Sequence, residues 1–193
     1  MAAESRALLS HEEYFALEQA TGERYEYAAG RVALIAGSRP THSLIAANVV
    51  TCLGLQLRQR PCKVYNCSLR IAIGALDFYT YADAIVIADA PRTDAFGESL
   101  TNPLVLIEVS SPEIASYDRT RKFMRCRSLE SLRDYVLIDQ HAPFLQRFSR
   151  NEQGRWFWEG TDDLDTSIAL PSIECALPLA EVYAKVIFGE TAE

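Results

Sequence analysis

The chain has 193 residues, enough for one domain with a sizeable core, and 49% of them are hydrophobic and 23% charged, which is typical of a folded globular protein. Its formal net charge of -7 argues against a broad electrostatic grip on nucleic acid, although it leaves room for a local basic groove. No apolar run approaches the ~18 residues that cross a membrane, and the N-terminus lacks the continuous apolar stretch of a signal peptide. We therefore expect a single domain over residues 1–193, located in the cytoplasm and without membrane contact.

Sequence patterns in the first sixty residues predict a helix, a hairpin and a second helix. Residues 10–20 (SHEEYFALEQA) begin with Ser10 and carry Glu13 three positions later, the pair that forms a capping box. Residues 23–37 have apolar and aromatic residues on both sides of Gly30, as a β-hairpin does. Residues 41–60 place apolar side chains at helical spacing, which predicts an amphipathic helix.

The remaining patterns predict a mixed sheet and two further helices. Residues 117–129 and 178–188 have helical patterns. Strand patterns occupy six segments, of which the last three read as a meander: 63–73, 77–90, 102–111, 134–140, 144–150 and 155–160. We therefore expect an α/β (α+β) fold in which helices flank a mixed β-sheet core.

Two carboxylates lie inside segments that are otherwise apolar. Asp83 shares its predicted strand face with Tyr81, Ile85 and Ile87, and Glu108 lies in NPLVLIEVSS, where apolar residues fill both faces. A lone ionised carboxylate is costly in such a place, and two of them on adjacent strands repel each other unless a cation lies between them. A hard divalent ion with oxygen ligands, Mg²⁺ or Mn²⁺, meets both requirements. The alternative is that both acids lie at strand ends and reach water.

The helix that follows Glu108 adds a lysine to these carboxylates. At ~100° per residue, one side of this helix carries five residues: Asp118, Lys122, Arg125, Cys126 and Leu129. Because Cys126 and Leu129 flank Lys122 there, that side faces the protein body in part. A lysine near two carboxylates and a metal ion can orient a water molecule and stabilise charge on a phosphate. Asp118 stands four residues before Lys122, a spacing that equally suits an ordinary helical ion pair.

The order Asp83, then Glu108-Val109-Ser110, then Lys122 resembles the PD-(D/E)XK nuclease superfamily, and most of all its Uma2 branch of restriction endonuclease-like proteins. Segments similar to family landmarks follow in family order along nearly the whole chain, among them EEYFALEQATGERYEYAAGRV, YADAIVI, NPLVLIEVSSPEIASYDRTRKF and LRDYVLID. The resemblance implies a restriction endonuclease-like fold. It also implies a Mg²⁺-dependent or Mn²⁺-dependent endonuclease that hydrolyses phosphodiester bonds in DNA.

The resemblance assigns the central motif residue by residue. Asp83 matches the acid of the Pro-Asp motif, although Ala82 stands in place of the proline. Glu108 matches the acid of the (D/E)XK motif, and Ser110 occupies the position of its lysine. In the Uma2 branch this lysine lies on the following helix, and Lys122 is its match. The missing proline leaves the acid in place, because proline donates nothing to a metal ion.

The resemblance further implies which groups hold the metal ion and which surround it. The ligands would be the carboxylates of Asp83 and Glu108 and the backbone carbonyl of Val109, with Lys122 positioning the attacking water. Glu26 matches an early glutamate placed near the metal, and its hairpin position also suits an exposed residue. Three further residues match family positions around the site: His42, Tyr117 and Asp118. A packed or capping role suits the histidine better than that of a general base, because its helix side is apolar.

A local basic footprint for DNA is offered by the arginines of the helix after Glu108: Arg119, Arg121 and Arg125. Such a charge run is also what a solvated helix surface looks like. Restriction enzymes of this fold often act as dimers, which implies a homodimer here, and the aromatic segment RWFWEG (residues 155–160) can lie at a dimer interface or in the core. Two other functions stay open: the same fold as an inactive binding or structural module, and a hydrolase that uses Asp83 and Glu108 as an acid/base pair.

Overall fold

The computed structural model describes residues 8–35, 37, 39–110 and 117–188. Helices within these ranges are α1 (His11–Thr21), α2 (Pro40–Gln56), α3 (Phe123–Cys126) and α4 (Leu179–Val182), and a π-helical turn, Asp118–Lys122, leads directly into α3. The strands follow in chain order: β1 (Tyr25–Ala28), β2 (Arg31–Leu34), β3 (Lys63–Asn66), β4 (Arg70–Ile73), β5 (Phe78–Tyr81), β6 (Ala84–Ile87), β7 (Ser99–Leu100), β8 (Val105–Ser110), β9 (Asp134–Asp139), β10 (Leu145–Arg150), β11 (Trp156–Thr161), β12 (Ser167–Leu170) and β13 (Cys175–Pro178).

The strands form two main sheets and a separate hairpin. The five-stranded sheet has the order β2-β1-β5-β4-β7, the six-stranded sheet has the order β11-β10-β9-β8-β6-β3, and β12 pairs with β13. Pairing is antiparallel except between β4 and β7 and between β8 and β9, which are parallel. The expected mixed α+β architecture is therefore confirmed, with two sheets in place of one.

The six-stranded sheet carries apolar side chains on both faces, so its central strands are buried. Ile45 and Val49 of α2 pack in the same core cluster as Ile107 of β8. On the opposite face, Leu106 of β8 packs in a second cluster with Phe123 of α3. All six residues of β8 are buried, which confirms that the segment around Glu108 is a central strand.

The continuous strand predicted over residues 77–90 is wrong. The chain forms β5 up to Tyr81 in the five-stranded sheet, passes through Ala82 and Asp83, and continues as β6 in the six-stranded sheet. Tyr81 therefore belongs to a different sheet from Ile85. The predicted strand over residues 63–73 is divided between the two sheets in the same way, as β3 and β4. The break at Asp83 escapes the sequence pattern because its neighbours Tyr81, Ala82 and Ala84 are all buried. The break between β3 and β4 does carry a local signal, since Asn66 and Ser68 are polar and exposed.

The first helix is capped as the sequence predicts. Ser10 Oγ accepts a hydrogen bond from the Glu13 backbone N–H at 3.2 Å, and a Glu13 carboxylate oxygen accepts one from the Ser10 N–H at 2.7 Å. Gly22 ends the helix in the left-handed conformation, with φ of 70°. The helix therefore starts and stops at residues whose side chains and backbone suit those positions.

The C-terminal segment differs from the prediction. The helix expected over residues 178–188 covers only Leu179–Val182, and Lys185 then adopts a positive φ of 62°, which a helix cannot continue through. The β12–β13 hairpin was not predicted, because Pro171 and Pro178 interrupt its strand pattern. Within the part of the chain that the structure describes, no helix is long and apolar enough to cross a membrane.

Candidate active site

Asp83 lies where the chain leaves one sheet for the other, and its position is fixed by the backbone of β8. Its N–H donates to the Ile107 carbonyl at 3.0 Å, and its carboxylate oxygen Oδ2 accepts a hydrogen bond from the Val109 N–H at 2.7 Å. The antiparallel register of β6 and β8 pairs Ala84 with Ile107, so one further step places Asp83 opposite Glu108. The two predicted metal-binding acids therefore lie side by side on neighbouring chain segments.

Glu108 and Lys122 form a buried ion pair. Lys122 Nζ lies 2.8 Å from Glu108 Oε1, and the two residues are 7% and 5% exposed. Burial raises the pKa of Glu108 well above its ordinary value; the positive charge of Lys122 opposes this shift, and the charges of Asp118 and Asp83 add to it. Burial favours a neutral Lys122 amine, but the charges of Glu108 and Asp118 outweigh burial and raise the pKa of Lys122. Lys122 is therefore a cation held against a carboxylate inside the protein.

Asp118 is a third buried carboxylate near the pair, 5% exposed. Burial raises its pKa to about 6, with Asp83 and Glu26 adding to the shift and Lys122 opposing it. The side chain that Lys122 contacts as an ion pair is Glu108, so the ordinary helical ion pair with Asp118 is absent from the described residues. Asp118 thus stands within electrostatic reach of the predicted site, where it adds negative charge.

Glu26, on β1 of the five-stranded sheet, is enclosed by hydrogen-bond donors. Tyr117 donates its hydroxyl to Glu26 Oε1, Thr80 Oγ1 donates to Oε2 at 3.0 Å, and Arg125 NH1 lies 3.4 Å from Oε1. The guanidinium of Arg125 also stacks over the ring of Phe78 at 4.4 Å. Glu26 is therefore not the exposed hairpin residue that its sequence context allowed. It anchors a tyrosine and an arginine of the segment that carries Lys122.

His42, near the start of α2, contacts the Asp83 carboxylate. Its Nε2 lies 3.3 Å from Asp83 Oδ2. Burial lowers the pKa of His42, but the hydrogen bond to Asp83 and the negative charge of Asp83 outweigh it, and the Val109 backbone adds to the net rise. His42 therefore packs in the first turn of α2 and also helps to orient the Asp83 carboxylate.

The predicted basic footprint divides between two environments. Arg119 and Arg121 are exposed on the π-helical turn, whereas Arg125 is partly buried by its contacts with Glu26 and Phe78.

Thr80 was not predicted as part of the site, although it is fully buried on β5 and donates to Glu26. The available signal was weak: Thr80 is the one non-aromatic residue within the four-residue strand FYTY.

The oxygen donors near Asp83 suit a hard divalent ion in kind, although the described conformation leaves them partly engaged. Asp83 Oδ2 contacts Val109 and His42, and Glu108 Oε1 contacts Lys122. The other oxygen of each carboxylate, Asp83 Oδ1 and Glu108 Oε2, accepts no hydrogen bond from the described residues. Within those residues, no three His, Cys, Asp or Glu side chains are already arranged around one metal position. The site has four carboxylates against two permanent cations, an excess of negative charge that a divalent ion would offset.

Comparisons with known proteins agree with this architecture. The model of the Uma2 family, described as "Putative restriction endonuclease", matches residues 11–180. Two uncharacterized proteins of Synechocystis sp. (strain ATCC 27184 / PCC 6803 / Kazusa) are 29% identical: sll1609 over 150 residues, covering 77% of this chain and 85% of its own, and slr1290 over 183 residues, covering 93% and 94%.

A solved structure shares the fold. The crystal structure of "a putative nuclease belonging to DUF820" from Anabaena variabilis superposes with a TM-score of 0.75 and 20% identity, covering 93% of this chain and 99% of that one. The restriction endonuclease-like fold expected from the sequence is thereby confirmed. Because the family model also spans most of the chain, including Asp83, Glu108 and Lys122, the protein belongs to the Uma2 family.

Proposed function

We propose that this protein is a Mg²⁺-dependent or Mn²⁺-dependent endonuclease that hydrolyses phosphodiester bonds in DNA. The observation that carries the proposal is the placement of Asp83 against the β8 backbone, beside the buried Glu108–Lys122 pair. Membership of a family described as "Putative restriction endonuclease" supports a nuclease role. A carboxylate pair with an adjacent buried lysine is chemically suited to phosphoryl transfer, because that reaction depends on positioning and charge stabilisation.

The metal ligands would be oxygens that are still available in the described conformation. Asp83 Oδ1, Glu108 Oε2 and the carbonyl oxygen of Val109 are the groups that the proposal assigns. A bound Mg²⁺ supplies charge stabilisation on the phosphate and lowers the pKa of a bound water. The hydrogen bond from the Val109 N–H keeps Asp83 turned toward β8, so the acid is positioned before any ligand arrives.

Lys122 would position the attacking water and bear part of the charge that develops on the phosphate. It is held by Glu108 at 2.8 Å, and burial excludes the bulk water that would otherwise screen its charge. The water oxygen attacks phosphorus as the bond from phosphorus to the leaving sugar oxygen breaks. Glu26 would act indirectly: it would hold Arg125 and Tyr117 in place, and these two residues belong to the segment that carries Lys122.

The test combines metal binding with cleavage. We expect Mn²⁺ binding by isothermal titration and divalent-dependent nicking of plasmid DNA, and we expect both to be lost in Asp83→Asn and Glu108→Gln. Lys122→Met should retain metal binding and lose nicking. Asp89→Asn is the matched control, since Asp89 is an exposed aspartate just beyond the other end of β6. Nicking that survives in Asp83→Asn would refute the proposed site.

An inactive binding module is the second candidate, favoured by the engagement of Asp83 and Glu108 with protein partners in the described conformation. The same experiments separate it from the nuclease. A protein that binds DNA through Arg119 and Arg121 but shows neither Mn²⁺ binding nor nicking of any DNA form would be such a module. Its DNA affinity would then be unchanged by Asp83→Asn.

A further inference from the structure

The strand β11 is an open edge with an unusual aromatic surface. It stands at one end of the six-stranded sheet, and β10 is its one strand neighbour among the described residues. Trp156, Phe157 and Trp158 follow one another in it, with Phe157 55% and Trp158 58% exposed. Natural edge strands are normally protected from pairing by lysine, by proline or by a bulge. The sequence of β11 contains no lysine and no proline. Only Trp156 packs partly inward, against Phe123, so a core role is wrong for the other two aromatics.

The pairing with β10 defines which backbone groups of β11 remain free. The Asn151 N–H donates to the Arg155 carbonyl at 2.9 Å. These two residues are therefore a hydrogen-bonded pair, next to the turn that joins β10 to β11. Hydrogen-bonded pairs alternate along an antiparallel ladder, so the peptide groups of Arg155, Phe157 and Glu159 point toward β10. The peptide groups of Trp156 and Trp158 consequently point outward, to the open edge.

We propose that β11 pairs antiparallel with β11 of a second copy of this chain, about a two-fold axis at Phe157. The sequence Arg155-Trp-Phe-Trp-Glu159 is self-complementary in that arrangement. Trp156 opposes Trp158 of the second copy, and these are the residues whose peptide groups are free to complete the ladder. Phe157 meets Phe157 on the axis, and the six-stranded sheets of the two copies become one continuous sheet.

Charge selects this register over its neighbours. With the axis at Phe157, Arg155 opposes Glu159 of the second copy twice, once on each side of the axis. A shift by two residues keeps the hydrogen bonds but places Arg155 opposite Phe157 or Thr161, which loses both ion pairs. A shift by one residue turns the free peptide groups away from each other. Glu159 Oε1 already pairs with Arg147 at 3.0 Å, and its second oxygen accepts no hydrogen bond from the described residues.

The expected dimer is reversible. A fully buried aromatic side chain covers roughly 150–250 Å², and Phe157 and Trp158 are about half exposed, so these two contribute on the order of 200 Å² per copy. A standard stable interface buries about 800 Å² per partner, so this contact lies at the weak end of the range. We therefore expect a dissociation constant in the micromolar range. The proposal does not depend on nuclease activity, and its tests measure mass and cross-linking.

The first experiment follows the mass of the full chain by sedimentation velocity over a wide concentration range. We expect a monomer–dimer equilibrium for the wild type and a dissociation constant raised about 30-fold or more by Phe157→Lys, the usual loss for a central aromatic anchor. The matched control is Leu55→Lys, since Leu55 is 68% exposed on α2 and away from the edge. It should leave the equilibrium unchanged. A wild type that stays monomeric at every concentration overturns the proposal, and so does a dimer that Phe157→Lys does not weaken.

A charge-reversal experiment tests the register. Arg155→Glu alone and Glu159→Arg alone should each weaken self-association, because each places like charges opposite one another. Mixing these two variants should restore dimers, as every opposing pair is then of opposite sign. A mixture that associates no better than either variant alone overturns the register.

A cross-linking experiment tests the position of the axis. Phe157→Cys should form an intermolecular disulfide under oxidised glutathione, since residues facing each other in this kind of pair lie within disulfide reach. Trp158→Cys should cross-link far less, because its two copies stand two residues apart along the ladder. Wild type, which has five cysteines, gives the background. Preferential cross-linking of Trp158→Cys overturns the proposal. The proposal is also overturned if the protein is monomeric and Phe157→Lys weakens its binding of single-stranded DNA instead.

Discussion

The buried pair of Lys122 and Glu108 allows a quantitative prediction about folding stability. At 2.8 Å, two charges attract by about 6 kcal/mol at an effective dielectric constant near 20, before the cost of desolvating them. Lys122→Met removes one partner and leaves a carboxylate that is 5% exposed without its cation. Removing one member of a buried pair costs about 3–5 kcal/mol, so we expect a loss of that size in the free energy of unfolding near pH 8.

The loss should depend on pH in a defined direction. The pKa of Glu108 in the folded protein is raised above its unfolded value even with Lys122 present, and losing the lysine raises it further. The folded state of Lys122→Met therefore binds a proton that the unfolded state releases, and its stability falls as the pH rises above the unfolded pKa. We expect a smaller loss at pH near 4–5 than at pH 8, since the unfolded carboxyl itself titrates near pH 4.3.

Replacing both partners should restore most of the stability. The face of β8 that carries Glu108 also carries Leu106, which packs in the same cluster as Cys126. In Lys122→Met/Glu108→Leu neither charge is left unpaired, so we expect the double variant to lie within about 1–2 kcal/mol of the wild type. The corresponding coupling energy is about 3 kcal/mol or more, at the upper end for residues in direct contact.

The assay is urea unfolding with a metal chelator present, followed by tryptophan fluorescence. Trp156 reports directly, because its ring packs at 5.1 Å from Phe123 in the helix after Lys122. Lys63→Met is the matched control: Lys63 is an exposed lysine on an edge strand, and its removal should change stability by no more than about 0.5 kcal/mol. If the two single losses simply add in the double variant, the argument that the pair shares one buried environment is wrong.

Three further predictions follow from contacts around the pair. Asp118→Asn should stabilise the metal-free protein at pH 8 by up to about 3 kcal/mol, because the pKa of the Asp118 carboxyl rises from 3.8 to about 6 on folding. Urea unfolding measured from pH 8 down to about 3.5 should show this gain in stability shrink to nothing. Tyr117→Phe removes a donor from the partly buried Glu26 carboxylate and should cost about 1–3 kcal/mol in thermal or urea unfolding; an unchanged stability would exclude that hydrogen bond as a fixed contact. His42→Asn should weaken Mn²⁺ binding about 10-fold or more in calorimetry by loosening Asp83, with no comparable loss of stability; unchanged affinity would leave His42 a packing residue.

Local patterns predicted the members of the site that lie in regular elements. Glu108 was recognisable because apolar residues surround it on both strand faces, and the structure buries all of β8. Lys122 was recognisable because helical spacing places it on the same side as Cys126 and Leu129, and all three are buried. In both cases burial follows from the period of a single element, which a sequence displays directly.

The tertiary contacts were beyond that kind of reasoning. Glu26 meets Tyr117, which is 91 residues away in the chain, and no local spacing encodes this contact. The crossing between sheets at Asp83 was also hidden, because the strands on both sides of it are buried and apolar. Where two buried strands follow one another, hydrophobicity alone cannot mark the residue at which the chain changes sheets.

This crossing has a consequence for how the site comes into being. Asp83 and Glu108 belong to the six-stranded sheet and its margin, while Glu26 and Thr80 belong to the five-stranded sheet, and Tyr117 and Arg125 join the two groups. Neither sheet contains the full constellation by itself. The full site therefore exists only while the two sheets are docked, and we expect it to be lost when they separate, even if each sheet keeps its own strands paired.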